Sequence, residues 1–432
     1  MKKEIYALVD CNNFYASCER VFQPNLAKKP VGILSNNDGC IVAMSQELKN
    51  LGVTRGQPYF KMKYLIQKYD VKIFSSNYSL YGDMSARVMK TLATFTPEIE
   101  VYSIDEAFLL LTGFEKSDLT KYGQEIRKTV QKWTGIPVSV GIGRTKTLAK
   151  IAALIAKKYP RFQNVFDITD HPKMDTILET IPVEKIWGVG FRYAKMLNKY
   201  GFHNAYQLST APDEWVKKQM TIVGLRTVKE LRGISCLDLE NDVIARKEIV
   251  SSRSFGKPVT ELQELQEAAA TYCTRAVEKL REQDLVASQV MVYITTNRFK
   301  EEPQYANFVS GRLAVPSAYT PEFLSKIKTL LSTIYRPGYS YKKVGIMISD
   351  IIHQKKAPLD FFAPCYLDDR RKVIMDKVDS VNRRWGSGTL RYAASGIEQK
   401  WSMKRELLTP RYTTCWKELL KVKAKDDERN KE

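Results

Sequence analysis

Apolar runs and amphipathic stretches alternate through the first 170 or so residues. The short run Ile5–Val9 predicts a buried strand ending at Asp10. Val31–Leu34 and Ile41–Met44 flank the turn-rich cluster Ser35-Asn36-Asn37-Asp38-Gly39, which predicts a hairpin. Glu100–Ile104 and Ala107–Leu111 predict a second strand pair closing around Asp105 and Glu106. Val138–Ile142 predicts a strand that feeds a helix from about Thr145 to Lys158, and Pro160 ends that helix. Together these predict an α+β core. Residues 171–245 read as helical with glycine turns. Beyond Glu248, strand-like pieces (Val290–Thr295, Val344–Ile348) combine with helix-like ones (Glu261–Gln283, Pro321–Ile334) into a second α/β domain reaching about His353. The tail is basic and aromatic, and its final charged run, Lys421–Glu432, is expected to fray. No repeat of solenoid period is present.

Length and composition narrow the picture. A chain of 432 residues with 44% hydrophobic content predicts two to four domains. No apolar run approaches the roughly 18–20 residues that a membrane helix requires. Asp10 interrupts the apolar stretch nearest the N-terminus, so a signal peptide is not expected. Lys and Arg number 68 against 48 Asp and Glu, a formal charge of +20 that favours polyanions through attraction and counterion release. Neither end carries a basic amphipathic anchor, which disfavours a membrane surface as that polyanion. The seven cysteines are scattered, odd in number and without a CxxC, so the expected compartment is the cytoplasm. His171, His203 and His353 do not build a zinc site with them.

Chemistry gathers at three acids. Asp10 follows the apolar residues Ala7-Leu8-Val9 where the chain is expected to leave a sheet. Taken alone it reads more readily as an ordinary turn acid. Asp105 and Glu106, inside Tyr102-Ser103-Ile104-Asp105-Glu106-Ala107-Phe108, have apolar neighbours on both sides, which implies a half-buried turn. Successive strand residues point to opposite faces, but a hairpin turn relaxes that rule and both acids can face one side. Clustered carboxylates repel without a cation, and magnesium accepts such oxygens together with substrate phosphates.

The segments Val9-Asp10-Cys11-Asn12-Asn13-Phe14-Tyr15-Ala16-Ser17-Cys18-Glu19 and Ser103-Ile104-Asp105-Glu106-Ala107-Phe108 resemble the first two signatures of the Y-family, translesion DNA polymerases. Asp10-Cys11-Asn12-Asn13-Phe14-Tyr15 and Asn36-Asn37-Asp38-Gly39-Cys40 resemble the UmuC type, the catalytic subunit of DNA polymerase V, more than the DinB type. The resemblance runs in order through nearly the whole chain. It implies a right-handed polymerase: palm at residues 1–21 and 80–170, small fingers at 22–79, a helical thumb at 171–245, an α/β little finger at 246–353, and a C-terminal extension at 354–432. It implies two Mg²⁺ held by Asp10, Asp105 and Glu106 with the carbonyl of Cys11. Phe14 and Tyr15 would lie at the substrate, Tyr15 under the incoming sugar, with Lys49 and Lys157 on the triphosphate.

The remaining positions follow the same division. Residues 141–158 contain no acid, and at about 100° per residue Lys146, Lys150 and Lys157 fall within about 40° of one another. Ile151 and Ile155 lie well away from that stripe, facing the core. Arg144 and Lys146 are expected near template or primer phosphates. Ile186-Trp187-Gly188-Val189-Gly190 resembles a helix-hairpin-helix, whose Gly188 and Gly190 would free N–H groups for a DNA phosphate, and Val223-Gly224-Leu225 could start a weaker second one. Arg253 and Arg298 are expected DNA contacts of the little finger. Pro358–Phe362 resembles a sliding-clamp peptide with Leu359, Phe361 and Phe362 as anchors and Pro358 in place of Gln. Thr409-Pro410-Arg411-Tyr412-Thr413-Thr414 resembles part of the C-terminal extension of the UmuC type. The implied partners are primer-template DNA, dNTP, a UmuD′ dimer, RecA and the sliding clamp, in a bacterial, nucleoid-associated setting. The expected activity is error-prone translesion synthesis in the SOS response. A non-catalytic DNA-binding scaffold and a nucleotidyl cyclase are the rivals. The intact acid trio disfavours the first, and the hairpin motif with the +20 charge disfavours the second.

Overall fold

The computed structural model describes residues 4–114, 118–240, 247–357 and 369–420. The chain divides into two units, one of Met1–Ser35, Gly39–Val243 and Leu407–Glu432, the other of Asn36–Asp38 and Ile244–Glu406.

The first unit runs β1 (Tyr6–Cys11), α1 (Phe14–Phe22), β2 (Val31–Leu34), β3 (Ile41–Met44), α2 (Gln46–Asn50), α3 (Lys63–Tyr69), β4 (Lys72–Ser75), α4 (Tyr78–Leu92), β5 (Ile99–Val101), β6 (Glu106–Leu110), α5 (Leu119–Thr134), β7 (Val138–Gly143), α6 (Lys146–Lys158) and β8 (Val165–Asp167). Helices α7 (Met174–Glu179), α8 (Phe191–Lys199), α9 (Ala205–Ser209) and α10 (Asp213–Leu231) follow. Its main sheet has the order β5-β6-β1-β7-β8, with β1 antiparallel to both neighbours and β7 parallel to β8. Both faces of β1 are covered. Ala7, Val9 and Cys11 join a core with residues of α1, α4 and α5, whereas Tyr6 and Leu8 pack with Phe108 and with Ala149 and Ala153 of α6. That double burial is why β1 reads as a continuous apolar run rather than an alternation.

Helix α6 lies very close to the sheet. A Cβ on Gly141 would fall 2.0 Å from the Ala153 nitrogen and 2.3 Å from the Ala149 oxygen, so glycine is required there. Thr145 caps the helix by accepting from the Leu148 N–H at 3.1 Å. The other apolar stripe of α6, with Leu148, Ile151, Ala152 and Ile155, packs against the helical segment through Leu178, Ile186, Leu197 and Val228. The predicted hairpin is β2–β3, and β4 completes a three-stranded sheet by pairing parallel to β2.

The second unit is an antiparallel sheet, β11-β10-β12-β9, built from β9 (Ile249–Val259), β10 (Leu285–Thr296), β11 (Ala306–Ser317) and β12 (Tyr341–His353). Helices α11 (Leu262–Arg281) and α12 (Thr320–Ile334) supply the other side of its core. Helix α13 (Asp369–Trp385) joins this unit through Arg281, whose guanidinium makes paired hydrogen bonds to Asp379 at 2.6 and 2.8 Å. Trp401 is buried in the same core, against Tyr272 and Phe255.

One expectation changes. β1 does not end at Asp10 but carries it inside the ladder, opposite Glu106 on one side and Ser139 on the other. Val223-Gly224-Leu225 lies within α10, just past the kink at Thr221 (φ 64°) where two helical stretches meet, and a Cβ on Gly224 would strike Met220. Residues of the tail up to Glu406 group with the second unit and Leu407 onward with the first.

Glu19 of α1 is fully buried, and its Oε1 accepts from the Tyr81 hydroxyl at 2.7 Å and the Thr409 hydroxyl at 3.2 Å. Burial pushes its carboxyl up to about 7, although these donors pull it back. The fold therefore holds a proton that the unfolded chain releases near 4.5, and the associated stability is lost as pH rises through about 7. Glu19→Gln keeps the acceptor and removes the titration. Its urea midpoint should fall less than that of the unaltered chain between pH 5 and pH 8; parallel curves would show that Glu19 does not titrate in this range.

Candidate active site

The register of β1 and β6 sets Asp10 directly opposite Glu106. Asp105 precedes Glu106 in a turn held by Ser103. The Ser103 hydroxyl donates to Asp105 Oδ1 at 2.7 Å, and its oxygen accepts from the N–H groups of Asp105 (3.3 Å) and Glu106 (3.1 Å). The Cys11 N–H donates to the Asp105 carbonyl at 2.8 Å, tying this turn to β1.

Three lysines of α6 meet acids of the sheet. Lys157 pairs with Asp10, and Lys150 pairs with Glu106 at 2.8 Å. The Lys150 ammonium also lies 4.4 Å from the centre of the Tyr102 ring, 5.3 Å from that of Trp187 and 5.6 Å from that of Phe108. Trp187, read from sequence as part of a hairpin, thus closes the aromatic wall around Lys150 and donates to the Tyr102 hydroxyl at 3.1 Å. Burial raises the Asp10 carboxyl to about 6; Lys157 opposes the shift, and Glu106 and Asp105 add to it.

Lys146 requires a correction. It was expected near a DNA phosphate, but it is 2% exposed, pairs with Glu100 at 2.5 Å and donates to the Asp238 carbonyl at 2.6 Å. Its place on the helix stripe was legible. Its acid partner, 46 residues away on β5, was not.

A cavity of about 1150 Å³ opens beside the acids. Of the expected residues it brings together Asp10, Cys11, Phe14, Tyr15, Lys49, Asp105 and Lys157. Glu106 is turned toward Lys150 and does not line it. Tyr15 rests face to face on Tyr81, with ring centres 4.3 Å apart, and meets Tyr78 edge-on. Lys49 donates to the Asn13 side chain at 2.6 Å, and Asn13 holds a left-handed conformation (φ 49°) just before α1. Reading the sequence missed Asn13, Arg55, Lys158 and Lys185 on the same wall. Arg55 is oriented by its Nε donating to the Val42 carbonyl at 2.7 Å. Its signal was the turn Thr54-Arg55-Gly56, where Gly56 has φ +89°.

The other expected contacts lie elsewhere. Arg144 pairs with Asp170 and is largely covered. Gly188 takes φ +89°, and Gly190 caps the start of α8. Arg253 lies on β9 and Arg298 stacks on Phe299 in the second unit. Leu359, Phe361 and Phe362 lie outside the described residues.

Among the described residues, no three or more His, Cys, Asp or Glu side chains are placed together as a metal cluster. Lysine ammonium groups neutralise two of the acids instead. The donor set still fits a hard dication: Asp10 and Asp105 offer carboxylate oxygens to one cavity, and burial, with a smaller contribution from the neighbouring acids, holds Asp10 above the usual carboxylate range.

The impB/mucB/samB family matches at residues 9–154, and the C-terminal domain of that family matches at residues 246–361. A protein UmuC from Salmonella typhimurium is 44% identical over 97% of this chain and 100% of its own length. The chain belongs to the impB/mucB/samB family. Within it, the chain is similar to UmuC along nearly its whole length. A DNA polymerase IV from Caulobacter vibrioides is 24% identical over 89% of the chain and 92% of that protein. The Y-family DNA polymerase chimera Dbh-Dpo4(243-245)-Dbh shares the fold, with a TM-score of 0.65 and 20% identity over 81% of this chain and 99% of that one. Residues 372–422 of this impB/mucB/samB member also match DUF4113, a domain of unknown function.

Removing one partner of the buried Lys146–Glu100 pair strands a charge, which typically costs about 3–5 kcal/mol. Lys146→Met should lower the unfolding free energy by about that amount in urea and leave the salt dependence of DNA binding unchanged. A shallower salt slope would restore Lys146 to the DNA surface.

Proposed function

We propose that this protein is a DNA-directed DNA polymerase that copies damaged templates with low fidelity during the SOS response. The observation that carries the reading is one cavity whose lining joins Asp10 and Asp105 to Tyr15, Lys49 and Lys157. The main sheet with α4–α6 would be the palm, the β2–β4 sheet the fingers, α7–α10 the thumb and the second unit the little finger.

Asp10, Asp105 and Glu106, with the Cys11 carbonyl, would hold two magnesium ions. Magnesium bound there makes the primer 3′-hydroxyl easier to deprotonate and stabilises the leaving pyrophosphate. The 3′-oxygen attacks the α-phosphorus of the dNTP in line, a new P–O bond forms, and the bond to the β,γ-pyrophosphate breaks. Lys49 and Lys157 take the triphosphate, so an incoming nucleotide competes with Asp10 for the Lys157 ammonium. Arg55 adds a third cation on the same wall. Tyr15 cannot sink away from a 2′-hydroxyl, because Tyr81 fills the space beneath its ring. A three-stranded fingers sheet presents little surface to the new base pair, which suits tolerance of damaged templates. Lys150 holds the Glu106 carboxylate, which would have to be released from that pair to serve as a metal ligand.

The +20 charge supplies attraction for primer-template DNA without sequence readout. UmuD′, RecA and the sliding clamp are the partners that the UmuC type implies. Among the described residues no helix is long and apolar enough to cross a membrane. A bacterial cytoplasmic, nucleoid-associated location suits this activity.

Primer extension with Mg²⁺ opposite an abasic site tests the reading. The unaltered chain, supplied with its partners and clamp, should add nucleotides, and Asp105→Asn should not. An inactive unaltered chain would favour the scaffold alternative. Tyr15→Ala should relax discrimination against ribonucleotides by more than roughly tenfold, equivalent to about 1.4 kcal/mol. Unchanged sugar selection would remove Tyr15 from the substrate.

A further inference from the structure

The support beneath Tyr15 comes partly from the far end of the chain. Tyr15 lies on Tyr81, which is fully buried on α4. The Tyr81 hydroxyl donates to Glu19 Oε1 at 2.7 Å, and the hydroxyl of Thr409 reaches the same oxygen at 3.2 Å. Thr409 is held in turn by Asn77, whose Nδ2 donates to the Thr409 hydroxyl (3.1 Å), the Thr409 carbonyl (3.2 Å) and the Pro410 carbonyl (3.2 Å). Asn77 also caps α4, accepting from the Leu80 N–H at 3.3 Å. One asparagine thus holds both the C-terminal segment and the helix that bears Tyr78 and Tyr81.

Two further anchors flank Thr409. Leu407 and Ser75 exchange hydrogen bonds: the Ser75 N–H donates to the Leu407 carbonyl at 2.9 Å, and the Leu407 N–H donates to the Ser75 hydroxyl at 3.0 Å. Tyr412 stacks on Phe22 of α1 with ring centres 4.7 Å apart and is buried in the core that contains β1. The segment therefore grips α1 at Glu19 and Phe22 and α4 at its cap, the two helices that carry Tyr15 and its support. The second carboxylate oxygen of Glu19 is buried without a hydrogen-bond partner, so Oε1 alone links the two hydroxyls.

We propose that Leu407–Tyr412, acting through Thr409, Glu19 and Tyr81, is a positioning element for sugar selection at Tyr15. This rests on the reading of Tyr15 as the residue that meets the incoming sugar. Tyr81 stays upright when its hydroxyl is fixed, and an upright Tyr81 keeps the Tyr15 ring from yielding to a 2′-hydroxyl. Thr409 touches no reacting atom. It sets how firmly the gate is backed, and it gives a use to part of the segment that matches a domain of unknown function.

Single-nucleotide extension on an undamaged template, with the full chain and its partners, tests this by comparing kcat and KM for dNTP and rNTP. Thr409→Val keeps the shape and removes the hydroxyl. The ratio of kcat/KM for rNTP over dNTP should rise roughly threefold to tenfold, about the worth of one hydrogen bond. The gain should lie in kcat and KM for rNTP, with the dNTP values little changed. Thr409→Ser should restore the original ratio. Tyr81→Phe cuts the same link from the other side, so its effect should not add to that of Thr409→Val. Should Thr409→Val fail to fold, Tyr412→Leu loosens the same segment without touching Glu19 and should shift the ratio in the same direction.

Tyr15→Ala serves as the reference. If it relaxes selection while the Thr409 and Tyr412 variants match the unaltered chain, the positioning role is overturned and the gate stands. If Thr409→Val slows dNTP and rNTP equally, the segment is only structural and the proposal fails. If Tyr15→Ala itself changes nothing, the gate reading falls and takes the positioning role with it.

Discussion

Asp10 and Glu106 face one another across a ladder buried on both sides, and the arrangement of the site depends on neutralising that pair. Like charges directly opposite in a sheet destabilise it. Burial raises the Asp10 carboxyl, and repulsion from Glu106 and Asp105 adds to that rise. The fold answers with a helix whose lysines reach the sheet. Helix α6 can do this only because Gly141 lets its backbone approach β7 so closely. Lys150 and Lys157 then lie on the acids. A site that needs cationic charge to be comfortable has the electrostatics that the proposed metal ions and triphosphate would require.

The aromatic residues give this electrostatic arrangement its shape. Tyr102, Phe108 and Trp187 surround Lys150, so the helical segment that carries Trp187 helps fix Glu106. On the other side of β1, the rings of Tyr15, Tyr78 and Tyr81 pack together at the start of α1 and α4. The first group steers a carboxylate, and the second presents a flat surface to whatever enters the cavity. The C-terminal residues Thr409 and Tyr412 reinforce the second group from behind.

Much of the fold was legible in local pattern. The β2–β3 hairpin stood out because two apolar runs flank Asn-Asn-Asp-Gly, and α6 because its apolar and basic stripes keep a helical period. Strands β9 and β11 were not legible. Both lie at sheet edges, expose much of their length and carry Gly and Pro, which an edge tolerates and a central strand does not. Helix α13 was missed because its mean hydropathy is low and a salt bridge, Arg281–Asp379, does much of the docking.

The sequence by itself determined the chemical inventory: three acids in two recognisable segments, an aromatic five residues after the first acid, a basic helix, and enough positive charge for a nucleic acid. Those are properties of residue type and short spacing, and they are written locally. Only the tertiary structure decided which charges meet. It buried Lys146 with Glu100, turned Glu106 toward Lys150, added Arg55 to the cavity wall and brought Thr409 to Glu19 across 390 residues. Such pairings depend on strand register and helix approach, which join distant parts of the chain, and no local pattern encodes them.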